Sequence, residues 1–242
     1  MKSIFARIMA FWAALMFIGT MLIALIPIWA TGFWPEPRRT DLMIKISRVW
    51  MAVFFFLSGL RLKIYGREHF KSGQNYIVVC NHRSMMDVPL TSPGIPGANK
   101  TIAKSEMAKI PLFGIIYKRG SVLVNRKSDA SRKESYMKMR RVLEMGMHMC
   151  IYPEGTRNKT DKPLKEFHDG AFRLSLETRK SIMPAVIFGT NHVFPNNRKF
   201  WFWPSAMEMH FLEPISVSKE DTAHTLKEKA FRMMWDHIES VS

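Results

Sequence analysis

Between residues 8 and 34 the chain carries no charge, and the run is rich in Met, Ile, Leu, Phe and Trp. As a helix, an apolar stretch of this length reaches across the hydrocarbon core of a bilayer. It ties the N-terminus to a membrane, so the rest of the chain has to fold beside one. Trp12, Trp29 and Trp34 suit interfacial anchoring. A cleavable leader has a shorter apolar region ending in small residues, whereas this one continues through Ile26, Pro27, Ile28 and Trp29. Lys2 and Arg7 precede the run, and Arg38, Arg39, Lys45 and Arg48 follow it. That excess predicts a body on the cytoplasmic face of the inner (cytoplasmic) membrane. Beyond Pro35-Glu36-Pro37, a second apolar run at 49–60 is too short to span. Two readings fit it: an amphipathic helix in the interface, or an ordinary core helix. Residues 1–60 thus read as a membrane-anchoring helical hairpin, spanning or re-entrant, and residues 61–242 as the second domain.

The second domain alternates short apolar or alternating runs with helical ones. Residues 62–65, 76–80, 101–103, 120–126, 149–152, 182–188 and 207–212 read as strands. Helices are expected from Ser128 or Asp129 to about 145, over 171–177, and from 219 to about 239. This order predicts an α/β fold, a mixed sheet flanked by helices. The formal charge of +16 and pI near 10.1 call for an acidic partner. Nucleic acid, anionic lipid, a phosphorylated substrate and an acidic carrier protein all qualify. Cys80 and Cys150 sit in apolar runs with no Cys-x-x-Cys, as buried free thiols do in a reducing compartment. The histidines are scattered, so no metal site is expected.

One stretch carries chemistry. The run 76–80 leads through Asn81 to His82 at a strand tip, where open α/β sheets keep their reactive groups. Ser84 is a candidate cap for a short helix beginning at Met85, which brings Asp87 back towards the imidazole. A carboxylate on one ring nitrogen fixes the tautomer and leaves the other a better proton acceptor. The competing reading is a hydrogen-bonded structural pair. Further strand ends deliver Arg126 and the turn Pro153-Glu154-Gly155-Thr156-Arg157 to the same edge. The bland alternatives are a solvated Arg126 and a Glu154–Arg157 ion pair.

Taken together these blocks resemble the glycerolipid acyltransferases, most closely the bacterial 1-acyl-glycerol-3-phosphate acyltransferases. Asn81, His82 and Asp87 match the Asn-His-x-x-x-x-Asp motif, and Gly120 through Arg126 matches Gly-x-x-x-x-x-Arg. Pro153 to Arg157 is similar to the third motif in full, and Pro184 to the fourth. The segment from Ala103 and Lys104 to Gly114 also resembles the stretch between the first two motifs. His168-Asp169-Gly170 departs from the pattern, which often has basic residues before the glycine. The resemblance covers roughly residues 60 to 215. It implies transfer of an acyl group from a thioester to the sn-2 hydroxyl of lysophosphatidic acid. His82 is then the general base and Asp87 its orienting partner. Arg126, Arg157 and Lys104 bind the substrate phosphate, while Asn81, Gly120, Pro153, Glu154, Gly155, Thr156 and Pro184 shape the pocket. No bound cofactor is implied; acyl-CoA or acyl carrier protein is the co-substrate. The expected partners are the bilayer, lysophosphatidic acid and that donor, with no nucleic acid.

Three alternatives remain at this level. Another lysophospholipid or lyso-aminolipid is a possible acceptor. Cys80 and His82 share a face in an extended segment, as a thiol mechanism requires. A non-enzymatic, membrane-tethered binder of anionic lipid also accounts for charge and anchor. The basic residues Lys118, Arg119, Arg126, Lys127, Arg132, Lys133, Lys138, Arg140 and Arg141 suit coenzyme A phosphates, a carrier protein or headgroups, or form a solvated helix face. Residues 200–203 suit an interfacial contact or the core edge.

Overall fold

The computed structural model describes residues 1–125 and 127–241. The charge-free run becomes helix α1 (Lys2–Ala30), and α2 (Arg38–Leu57) returns beside it. The chain continues as β1 (Arg61–Tyr65), β2 (Ile77–Cys80), α3 (Asp87–Gly94), β3 (Asn99–Lys104), α4 (Phe113–Gly120) and β4 (Ser121–Val124). It is completed by α5 (Asp129–Glu144), β5 (His148–Ile151), α6 (Gly170–Thr178), β6 (Ile182–Phe188), α7 (Thr190–Val193), β7 (Ala206–Phe211) and α8 (Ala223–Val241). The strands form one sheet ordered β1-β7-β6-β2-β5-β3-β4. β2 to β6 are mutually parallel, β7 is antiparallel to β6, and β1 is parallel to β7. This is the mixed α/β sheet expected from the alternation.

The central strands are buried on both faces, so they read as continuous apolar runs. Val78, Cys80, Met183 and Ala185 pack under α1 and α2, with Met43, Trp50 and Phe54. Ile77, Val79, Ile182 and Val186 pack under α5, α6 and α8, with Leu143, Phe172 and Met234. α2 resolves the two readings of its run by facing both ways. It buries Met43, Ile44, Trp50, Met51, Phe54 and Phe55 and exposes Val49, Val53, Phe56 and Leu57.

Lys2–Phe33 form one helix long and apolar enough to cross a membrane. Small residues on its inner side, Ala6, Ala10, Ala13 and Ala24, let it lie close to the body. It is fastened at both ends. The Phe202 N–H donates to the Ala6 carbonyl at 3.2 Å, and the Arg119 guanidinium donates to the carbonyls of Ile28 and Trp29. Midway, the Trp12 indole donates to the Leu57 carbonyl at 2.8 Å. Residues 200–203 serve as both core edge and surface: Phe202 is buried, Trp203 meets the Phe5 ring at 5.3 Å, and Phe200 is exposed.

Two local expectations change. Residues 113–120 form a helix, so Gly120 closes α4 instead of opening a strand. A Cβ there would lie 2.9 Å from Met43 Cε of α2, the flexible end of a side chain that would have to shift. Helix α3 starts at Asp87, and Ser84 is not its cap. The Ser84 hydroxyl accepts from the Met86 N–H at 3.2 Å and donates to the Phe194 carbonyl at 2.8 Å, holding the loop.

Candidate active site

Parallel pairing sets the ends of β2 and β5 abreast. Val79 lies opposite Ile151, and the same register three residues on brings His82 beside Glu154. Glu154 is almost fully buried. Its Oε1 accepts the His82 N–H at 2.7 Å and its Oε2 the Lys165 N–H at 2.9 Å. Burial raises the Glu154 carboxyl pKa, and those two N–H groups oppose the rise. From the other side the Asn158 N–H donates to the His82 carbonyl at 2.6 Å. The His82 backbone is therefore pinned at both its N–H and its C=O. Asn81 fastens the strand end sideways: Nδ2 donates to the Ile187 carbonyl at 3.0 Å, and Oδ1 accepts the Ile187 N–H at 2.7 Å.

The side chain of His82 is oriented just as closely. Its Nδ1 lies 2.7 Å from Asp87 Oδ2, which also accepts the N–H groups of Arg83 at 2.7 Å and Ser84 at 2.8 Å. An oxygen that already accepts from two backbone donors takes a third donor here, so the ring carries its hydrogen on Nδ1. Nε2 is left as an acceptor with no partner among the described residues. The Asp87 side chain is 1% exposed and that of His82 18%, so the carboxylate is sealed while the imidazole is reachable. The ring stacks on Tyr152 at 4.4 Å between centroids. The Tyr152 hydroxyl in turn meets Thr91 Oγ1 at 2.7 Å, fixing the tyrosine. Burial pushes the Tyr152 pKa up, so the ring supporting His82 stays neutral.

The cations are distributed along this edge. Arg157 lies in the turn after β5, and among the described residues its guanidinium has no carboxylate or hydrogen-bond partner. The Glu154–Arg157 ion pair does not form, because Glu154 holds backbone instead. Lys104 ends β3, exposed and two strands from β2, roughly 10 Å sideways at ordinary strand spacing. Arg126 lies outside the described residues; β4 ends at Val124 on the same edge. Gly155 has φ +70°, and a Cβ there would fall 2.7 Å from the His168 ring. The Thr156 hydroxyl accepts from Lys165 Nζ at 2.8 Å. The Pro153 carbonyl accepts the His168 N–H at 2.9 Å. Asp169, at the departure from the motif pattern, pairs with Lys227 at 2.9 Å. Two sequence candidates are not brought to this edge. Gly120 is at the opposite end of β4, and Pro184 is buried inside β6 opposite Val79.

Tyr152, Asn158 and Lys165 join the site without having been singled out by sequence. Cys80 does not join it. Its sulfur lies 3.9 Å from that of Cys150 in the core, and burial raises its pKa far from nucleophilic use. The basic residues of α5 are partly neutralised by Glu134, Glu144 and Asp129. Among the described residues no cluster of three or more His, Cys, Asp or Glu is arranged to hold a metal.

A family model described as Acyltransferase matches residues 61–188, more than half the chain. The chain belongs to the acyltransferase family. It is 30% identical over 190 residues to a 1-acyl-sn-glycerol-3-phosphate acyltransferase of Cocos nucifera, covering 77% of this chain and 60% of that one. A protein of the same name from Borreliella burgdorferi is 28% identical over 153 residues, covering 63% and 61%. The chain thus spans about 60% of the length of these curated relatives. The fold matches the crystal structure of the 1-acyl-sn-glycerophosphate acyltransferase PlsC from Thermotoga maritima. The TM-score is 0.85, with 20% identity, over 100% of this acyltransferase and 98% of that chain.

Proposed function

We propose that this acyltransferase moves a fatty acyl group from an acyl thioester to the sn-2 hydroxyl of 1-acyl-glycerol-3-phosphate, giving phosphatidic acid for phospholipid synthesis. The observation that carries the reading is the Asp87-clamped His82, with Nε2 free at the end of β2. The acceptor assignment draws on the names of the relatives. An alcohol is a poor nucleophile at neutral pH, so a base has to take its proton as it attacks. His82 Nε2 takes the hydroxyl proton, the oxygen adds to the thioester carbonyl, and the carbon–sulfur bond breaks as the carbonyl re-forms. The proton passes from the imidazolium to the departing thiolate. Asp87 stabilises the imidazolium between those steps. A thiolate leaves readily, so no covalent enzyme intermediate is needed. Arg157, with Arg126 and Lys104, holds the acceptor phosphate, a role suited to guanidinium geometry. Glu154 and Asn81 act through the backbone of His82 and its strand.

Residues 1–60 anchor the domain of residues 61–242 on the bilayer. α1 is fastened at both ends along the body, and the side it turns outward, with Ile8, Leu15, Ile18, Leu22 and Ile26, is apolar. That arrangement favours a helix lying against the body with its outer side in lipid. The basic flank after α1 favours the cytoplasmic face. The test is an acceptor panel: thioester consumption in mixed micelles with lysophosphatidic acid, lysophosphatidylcholine or no acceptor. Turnover dependent on lysophosphatidic acid is expected. Equal turnover with the choline lipid would reassign the acceptor, and turnover without any acceptor would make the protein a thioesterase.

A further inference from the structure

On the α5, α6 and α8 side of the sheet, residues 160–167 and α8 enclose a groove of about 910 Å³. Small-molecule sites are typically about 300–1,000 Å³. One wall is an aromatic pair, Phe231 and Trp235, one helical turn apart. Their rings are 5.6 Å apart at 29° and half-buried. The Trp235 indole N–H is already satisfied by Glu239 Oε1 at 2.8 Å, so what the pair offers a ligand is ring surface. The facing wall carries Lys162 and Lys165, and Lys162 Nζ has no partner among the described residues. Lys227 is occupied by Asp169, and Glu166 and Glu228 also line the groove.

The groove adjoins His82. The Lys165 N–H and the His82 N–H bind the two oxygens of the same carboxylate, Glu154. The guanidinium of Arg83, next in chain after His82, donates to the carbonyl of the groove residue Thr160 at 3.1 Å. The groove also lies across the sheet from α1 and α2, whose outer surface takes lipid in the reading above.

We infer that this groove seats the adenine nucleotide of coenzyme A, the water-soluble end of the acyl donor. The inference rests on the acyl-transfer reading. A purine stacks on paired aromatic rings for about 1–3 kcal/mol per base, and ammonium groups meet its phosphates as point charges. The thioester then reaches His82 along the Lys165 side while the acyl chain stays towards the hairpin. A carrier protein has no base to lay on the open face of that ring pair. On the exposed basic face of α5, where one would dock, Arg132, Lys138 and Arg140 are already paired with carboxylates.

The experiment measures thioester consumption by the full chain in mixed micelles with lysophosphatidic acid and three donors. These are acyl-CoA, S-acyl-pantetheine (the same reacting end without the nucleotide) and an acyl carrier protein thioester. In Trp235→Ala the KM for acyl-CoA rises roughly tenfold at unchanged kcat, while that for S-acyl-pantetheine stays within about twofold. Trp235→Phe, which keeps a ring, recovers most of the affinity, and Lys162→Glu weakens acyl-CoA alone. A second arm titrates adenosine 3′,5′-bisphosphate calorimetrically into wild type and Trp235→Ala, expecting binding that the substitution weakens. Equal KM changes for both small donors, turnover with the carrier-protein thioester only, or nucleotide binding indifferent to Trp235 would each overturn the inference. Wild type inactive with every donor would instead defeat the acyl-transfer reading, and the titration would then decide the groove by itself.

Discussion

Asp87 Oδ2 gathers three N–H donors, two from backbone and one from His82, within 2.8 Å. Replacing Asp87 with Asn keeps the size of the group, and its amide oxygen in the Oδ2 place still accepts all three N–H groups, but the charge that stabilises the imidazolium is gone. In steady-state assays Asp87→Asn should lower kcat by about 10²–10⁴, the ordinary worth of general base catalysis. The backbone bonds survive through the amide oxygen, so the melting temperature should change little. Glu154 is the opposite case, a buried carboxylate whose two oxygens hold two separated N–H groups. Glu154→Gln has one acceptor oxygen for both and leaves a buried N–H unpaired, at about 1–3 kcal/mol. Denaturant unfolding in detergent should register that loss, and kcat should fall with it as the His82 backbone loosens. A Gln variant of unchanged stability would remove Glu154 from its bracing role.

Among the elements, α1 carries the clearest prediction. Leu15, Ile18 and Leu22 are exposed on its outer side and contribute nothing to the core clusters. Changing all three to Ser should leave the fold intact and reduce co-sedimentation with vesicles by at least about tenfold, since each buried aliphatic side chain contributes about 1.5–3 kcal/mol. Unaltered sedimentation would mean that this side does not meet lipid. Strands β2, β5 and β6 were legible in sequence because burial on both faces gives unbroken apolar runs. Helix α4 was not, because eight residues hold too little of a 3.6-residue period, and Gly120 reads as a strand boundary as readily as a helix end. Pro184 has its own physical reason: it sits where the β6–β7 ladder ends, and its carbonyl still accepts the Leu212 N–H at 2.9 Å. The His82–Asp87 pair was readable from five-residue spacing, since both partners are local. The duty of Glu154 was not. A carboxylate three residues before an arginine suggests an ion pair, and only the β2–β5 register reveals that His82 lies closer. Tyr152 was hidden for the same reason, its contact with His82 existing only across strands.

For the molecule as a whole, acid stability follows from a buried histidine. His148 accepts the Tyr76 N–H on Nδ1 at 3.1 Å and lies among Tyr76 and Phe70. Burial lowers its pKa from 6.5 to about 4. The unfolded chain therefore binds a proton before the folded one, and stability falls as pH drops from 6.5 towards 4. The loss amounts to ~3 kcal/mol. His237, lowered by burial and by His210, adds in the same direction. His148→Asn, which keeps an acceptor near Nδ1, should flatten the pH dependence of unfolding over that range; an unchanged slope would move the acid sensitivity elsewhere. At the same scale an apolar hairpin covers one face of the sheet and an aromatic-walled groove opens on the other. The His82 edge lies between them. The most direct test is the rate of thioester consumption with lysophosphatidic acid by wild type and by His82→Ala of equal folded content. A fall of about 10²–10⁴ is predicted; a variant that keeps the wild-type rate would contradict His82 as the base and the account built on it.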